Sequence, residues 1–324
     1  MDTMLTTPIT DKCAWKGKDI ADKNDWIVRL DQHLISVLDS ALKSIQAKNL
    51  QAPNFEKSDV PIDDAAFLTL VEEVSEELEN GYGFVVIKGL DVSVYNEQDL
   101  TDIYYILGLY LGIPVIQNKE RQLLGFVENV GDANDKQTRV YQTNENLPFH
   151  ADLSDVVGLL SIRKAMKGGE SSLVSFSAVY NTILEEYPEY LAYYYHPAYL
   201  NHLGKDGPAL TPMFSYWDGK LACRYLRKYI ETGHEIMNIP MSRVQIDALD
   251  IFDEISHRPE YRLDMMLEPG DIQLCNNYVV MHSRQSFEDY PEKDRRRKLV
   301  RLWLKVPNAR TLAPDFPGKN GYTL

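Results

Sequence analysis

EPGDIQLCNNYVVMHS (residues 268–283) and KLVRLWLKV (298–306) carry the reading of the fold. Both are short, apolar and rich in β-branched residues, and turn residues such as Pro269-Gly270 punctuate them, the pattern of buried strands. Along 298–306, Leu299, Arg301 and Trp303 share one face while Val300, Leu302 and Leu304 share the other. Further strand candidates are FVVIKGL (84–90), GLLSIRKA (158–165), SLVSF (172–176) and MFSYWDGKLACRYL (213–226), the last a hairpin turning at Asp218-Gly219. No strand–helix–strand rhythm links them. The expectation is an α+β, β-rich chain built on an antiparallel jelly-roll barrel flanked by helices.

Apolar residues at helical spacing predict helices over Arg29–Ile45, Ala65–Glu79 and Glu97–Leu111, the last two stopped by Asn80-Gly81 and Gly112. Two more are expected over 175–195 and 242–258. Residues 1–60 are read as an N-terminal helical extension packed on the core, and 61–324 as a single jelly-roll catalytic domain. The polar stretch GDANDKQTRVYQTNENLPFH (131–150) has the look of an active-site lid.

The chain has 324 residues, 44% of them hydrophobic and 25% charged, with a formal charge of −14. That charge disfavours nucleic acid and anionic membrane surfaces as partners. Cys13, Cys223 and Cys275 form neither a disulfide framework nor a zinc pattern. The N-terminus has no basic stretch followed by an apolar run, and no apolar run approaches the roughly 20 residues of a membrane helix. A cytoplasmic location is expected. An oligomer is possible but is not readable from the sequence.

Of seven histidines, His150 alone has a carboxylate two positions on, Asp152. On a strand this spacing presents both groups to one side, and a distal histidine would complete a two-histidine, one-carboxylate face of an octahedral ion. With 48 acidic residues in 324, about one such triplet arises by chance, so context has to carry the reading. His282 ends an apolar strand and is followed by Arg295, Arg296, Arg297 and Arg301. Arg301 faces the way large apolar side chains do. A buried guanidinium there needs a carboxylate partner, either internal or a bound dicarboxylate.

The succession His150-x-Asp152, Gly168-Gly169-Glu170-Ser171, PGDI…NN…His282 and Arg296-Arg297-x-x-x-Arg301 resembles the taurine dioxygenase-like family of Fe(II)/2-oxoglutarate-dependent dioxygenases. Clavaminate synthase-like enzymes are relatives with the same layout. The resemblance covers roughly 80–317 and implies a double-stranded β-helix fold. It implies that His150, Asp152 and His282 bind Fe(II), with O2 and the co-substrate 2-oxoglutarate at the remaining positions. It also implies that Arg301 pairs with the distal carboxylate of 2-oxoglutarate, that Arg297 lies near its chelating end, and that Ser171, or else Ser172, helps hold it. The interval from His282 to Arg301 is a few residues longer than in taurine dioxygenase, which reads as a loop insertion at SFEDYPEKD (286–294). The carboxylate at Asp152 argues against halogenation, where a small residue replaces it.

The implied reaction is oxidation, by default hydroxylation, of a C–H bond in a small amino acid or organic acid, with release of succinate and CO2. Desaturation or ring closure by the same oxidising intermediate are alternatives. Arg224 and Arg121 are candidate contacts for an anionic substrate group, and Tyr141, Asn144 and Asp155 are candidate polar contacts, while Asn277 reads as structural. Two rival classes remain: a cupin-like metal enzyme that does not use 2-oxoglutarate, and a β-barrel binding module in which His150 and Asp152 are a surface pair.

Overall fold

The computed structural model describes residues 4–130, 143–201 and 207–316. The chain is mixed α+β, with two principal sheets among the described residues. The larger sheet runs in the order 27–29, 84–88, 272–276, 156–163, 298–305 and 113–114, with 124–128 also paired to 298–305. The smaller one runs in the order 263–265, 171–175, 280–284 and 147–150. All these pairings are antiparallel except Ile27–Arg29, which lies parallel to Phe84–Lys88.

Side-chain alternation sorts the core into layers. Val300, Leu302 and Leu304, with Ile272 and Leu274, pack against the helices Gln32–Ala47, Ala65–Asn80 and Glu97–Leu111. The opposite face of the same sheet sends Leu299, Trp303 and Cys275 towards Leu173 and Val280 of the smaller sheet. That second sheet in turn packs Phe149, Val174 and Met281 against the helices Phe176–Glu186 and Arg243–His257. Gly158 permits one of these contacts, because a Cβ there would lie 2.3 Å from the Tyr104 hydroxyl of a packed helix.

Helix starts follow their caps. Asp31, Asp64, Asn96, Ser175 and Ser242 each accept a backbone N–H in the first turn of their helix. The first of these corrects the sequence expectation: Arg29 lies in a strand, and its helix begins only at Gln32, after the Asp31 cap. The long helix expected over 175–195 breaks at Tyr187-Pro188 into Phe176–Glu186, a short 3-10 turn and Leu191–Tyr195. Proline has no N–H to continue the ladder. The helix Arg227–Met237, which ends on left-handed Asn238 (φ 53°), was not anticipated. No helix among the described residues is long and apolar enough to cross a membrane.

Candidate metal centre

The antiparallel register places His282, in Val280–Arg284, opposite His150, at the end of Leu147–His150. Residues so paired have Cβ atoms about 5 Å apart, and here the ring centroids lie 4.3 Å apart. A register shift between His282 and Arg284 lets Leu147 as well as His150 face the same cavity. Beyond His150 the chain leaves the strand and is fixed by backbone contacts. Ala151 donates to the Tyr225 carbonyl at 2.8 Å, and the Asp152 N–H donates to Asn277 Oδ1 at 2.9 Å. The Asn277 amide is held in turn by Ser154.

Asp152 then lies between the two imidazoles. Its Oδ1 is 3.9 Å from His150 Nε2 and its Oδ2 is 4.0 Å from His282 Nε2, and the three candidate ligand atoms lie within 4.8 Å of one another. The donor set suits an ion. The Pro148 carbonyl, 2.8 Å from His150 Nδ1, can only accept, so Nδ1 carries the proton and Nε2 keeps its lone pair. Burial, followed by the His150 ring, pushes His282 down to about 3, and burial lowers His150 as well. Burial opposes ionisation of Asp152, but Arg301, the two histidines and the Trp303 indole outweigh it, and its pKa is lowered. At neutral pH the site therefore offers two neutral imidazoles and a carboxylate, the forms that bind metal. His282 Nδ1 is buried without a hydrogen-bond partner among the described residues.

Trp303 donates its indole N–H to Asp152 Oδ2 at 2.8 Å, and Arg301 Nη1 is 3.6 Å from the same oxygen. Gln117 locks Arg301 by accepting from its Nε at 2.8 Å and donating to its own carbonyl at 3.0 Å. These contacts cross most of the chain, so no local pattern announces Gln117.

A cavity runs from the two histidines between the sheets, and Ser171, Arg284, Arg297, Leu299 and Arg301 line it. Ser171 donates to Gln273 Oε1 at 2.9 Å, whereas Ser172 is turned to Asp264. Arg297 packs against Gly169 (φ 81°), where a Cβ would lie 3.1 Å from its Nε. Its guanidinium sits 5.1 Å from the Phe287 ring centroid, and that of Arg284 4.8 Å from the same centroid. Burial brings Arg297 down to about 9 and Arg284 to about 10. Arg284 was missed in the sequence although the signal was there: it is two residues past His282, on the same face of the strand.

The substrate candidates are scattered. Arg224 is buried, stacked 5.1 Å over the Tyr278 ring, and does not line the cavity. Arg121 is exposed in a left-handed turn (φ 61°). Asp155 accepts from the Tyr278 hydroxyl at 3.1 Å and from the Val306 N–H at 3.0 Å. Asn144 bonds the Phe287 backbone through its side-chain N–H and its carbonyl. Tyr141 lies outside the described residues.

Residues 46–303 match the family described as "Taurine catabolism dioxygenase TauD, TfdA family". The chain is 33% identical over 320 residues to FR-33289 synthase of Streptomyces rubellomurinus, covering 96% of this chain and 94% of that protein. It is 24% identical to the taurine hydroxylase-like protein SAT17 of Stachybotrys chartarum, covering 92% and 80%. Among solved structures, asparagine oxygenase in complex with Fe(II), 2S,3S-3-hydroxyasparagine and succinate shares the fold, with a TM-score of 0.64 at 18% identity over 86% of this chain and 93% of that one. The non-heme iron oxygenase OrfP in complex with Fe, succinate and (3S)-hydroxy-L-Arg also shares it, with a TM-score of 0.64 at 13% identity over 86% and 94%.

Proposed function

This chain belongs to the taurine catabolism dioxygenase TauD, TfdA family, and from that premise we propose that it hydroxylates a C–H bond of a small amino acid or organic acid, with iron held by His150, Asp152 and His282. It is a non-haem iron dioxygenase that uses 2-oxoglutarate and O2. The observation that carries the site assignment is the pairing of His150 with His282 across one strand pair, with Asp152 between them.

Bound iron supplies, with 2-oxoglutarate and O2, the oxidising power for C–H cleavage and yields succinate and CO2. The chain's own residues do the rest. Trp303 and Arg301 hold the Asp152 carboxylate ionised and oriented. Because Arg301 lies beside Asp152, we assign it to a carboxylate at the metal end of the cavity, and Arg297, set against Phe287 and Gly169, to the distal carboxylate of 2-oxoglutarate. These two roles are the reverse of those the sequence resemblance implied. Ser171 borders the same cavity. The facing sheets with their shared core support a double-stranded β-helix, or jelly roll, formed by 61–324, and the packing of Leu34 and Leu38 with Phe67 and Leu70 supports 1–60 as an extension on it.

The amino-acid class is supported by the hydroxyasparagine and hydroxyarginine bound to the two structural relatives. The test is succinate release with Fe(II) and 2-oxoglutarate across a panel of amino acids and small organic acids. At least one member should raise release about tenfold over the substrate-free rate and gain one oxygen atom. A panel-wide failure to stimulate release contradicts the substrate class. A product lighter by two hydrogens moves the outcome to desaturation or ring closure.

A further inference from the structure

The far end of the cavity holds more cation than one arginine provides. Arg284 follows His282 by two residues on the same strand face, about 7 Å further along, and it lines the cavity with Arg297. The two guanidinium groups both pack on the buried Phe287 ring. Arg284 is fixed at one end, where Nη2 donates to the Glu145 carbonyl. Its Nε and Nη1, and Nη1 of Arg297, are buried and have no hydrogen-bond partner among the described residues. The neighbouring carboxylate, Asp289, accepts the Arg297 backbone N–H through Oδ1 at 2.8 Å, and its Oδ2 is buried without a hydrogen-bond partner among the described residues. Asp289 is also the carboxylate whose charge bears on both arginines.

Two guanidinium groups and one carboxylate leave a formal surplus of one positive charge. Buried donors and buried charge of this kind call for a ligand that satisfies both. We propose that Arg284 is a second cation for the distal carboxylate of the co-substrate, and that Arg284, Arg297 and Asp289 together set the recess to accept a 2-oxo acid bearing one far carboxylate. This rests on the 2-oxoglutarate reading of the cavity given above. It adds that Arg297 alone, offset by Asp289, would leave the incoming carboxylate without net compensation.

The test is calorimetric binding to Fe(II)-loaded protein under anaerobic conditions, which requires no turnover. The ligands are 2-oxoglutarate and 2-oxobutyrate, which keeps the chelating 2-oxo acid and lacks the far carboxylate. Arg284→Gln should weaken 2-oxoglutarate about tenfold or more and leave 2-oxobutyrate within about twofold. Asp289→Asn keeps the acceptor for the Arg297 N–H but removes the negative charge, so it should tighten 2-oxoglutarate severalfold. Unchanged 2-oxoglutarate affinity in Arg284→Gln, or equal losses for both acids, overturns the proposal. If the unaltered protein binds neither acid, it is the 2-oxoglutarate reading that fails.

Discussion

Asp152→Ala should lose iron and, with it, 2-oxoglutarate turnover, while the sheets remain folded. Asp152 supplies the only negative charge among the three candidate ligands, set between two imidazoles that burial keeps neutral. Removing it leaves Arg301, 3.6 Å from its carboxylate, as the nearest charge to an incoming cation, so attraction becomes repulsion. Changes to groups that merely support a ligand already lower metal affinity by 10–100-fold, so losing the charged ligand itself should exceed about a hundredfold. The fold should survive, because the backbone N–H of residue 152 still reaches Asn277 and Ala151 still reaches the Tyr225 carbonyl. Metal content after desalting, read beside the circular-dichroism spectrum, checks both halves. Iron retained at the unaltered level would remove Asp152 from the site.

The second large effect separates the two arginines. Arg297→Ala should raise the 2-oxoglutarate concentration needed for half-maximal succinate release by about a hundredfold. A hydrogen bond to a charged group contributes about 1.5–3 kcal/mol, and stranding its buried partner adds to the loss. Iron content should not change, because the charges that bear on Arg297 are those of Arg284 and Asp289, not of the triad. Arg301→Ala should behave differently. Asp152 loses its strongest favourable charge, so iron affinity and kcat should fall together, with a smaller change in the 2-oxoglutarate requirement. The opposite pattern, with Arg301 governing the co-substrate requirement at full iron occupancy, would restore the roles that the motif order implied.

The proposed exchange of roles between Arg297 and Arg301 bears on what one-dimensional reading can reach. Strand parity was legible: the alternation at 298–306 set Leu299, Arg301 and Trp303 on one face and Val300, Leu302 and Leu304 on the other, and the structure turns the second set to the helices and Leu299 and Trp303 to the smaller sheet. Periodicity and caps likewise marked most helices. Depth along the cavity was not legible, because the distance of each arginine from the triad depends on which strands pair and in what register. Gln117, 184 residues from Arg301, and Tyr225, which anchors Ala151, belong to the same class of long-range contact. Arg224 and Asp155 were read as substrate contacts because their types suit a binding role; the fold sets Arg224 over the Tyr278 ring and bonds Asp155 to the Tyr278 hydroxyl and the Val306 N–H, placements that residue type alone does not announce. The helix Arg227–Met237 escaped because it is polar overall and buries only Ile230, Gly233 and His234.

The most direct measurement is the visible absorption of the protein under anaerobic conditions as Fe(II) and 2-oxoglutarate are added separately and then together. A weak visible charge-transfer band should appear only when both are present. It should be absent in Asp152→Ala and His282→Ala, and in Arg297→Ala it should need far more 2-oxoglutarate. No band in the unaltered protein at saturating Fe(II) and 2-oxoglutarate, or an undiminished band in Asp152→Ala, would contradict the assignment of His150, Asp152 and His282 as the iron site of a 2-oxoglutarate-dependent dioxygenase.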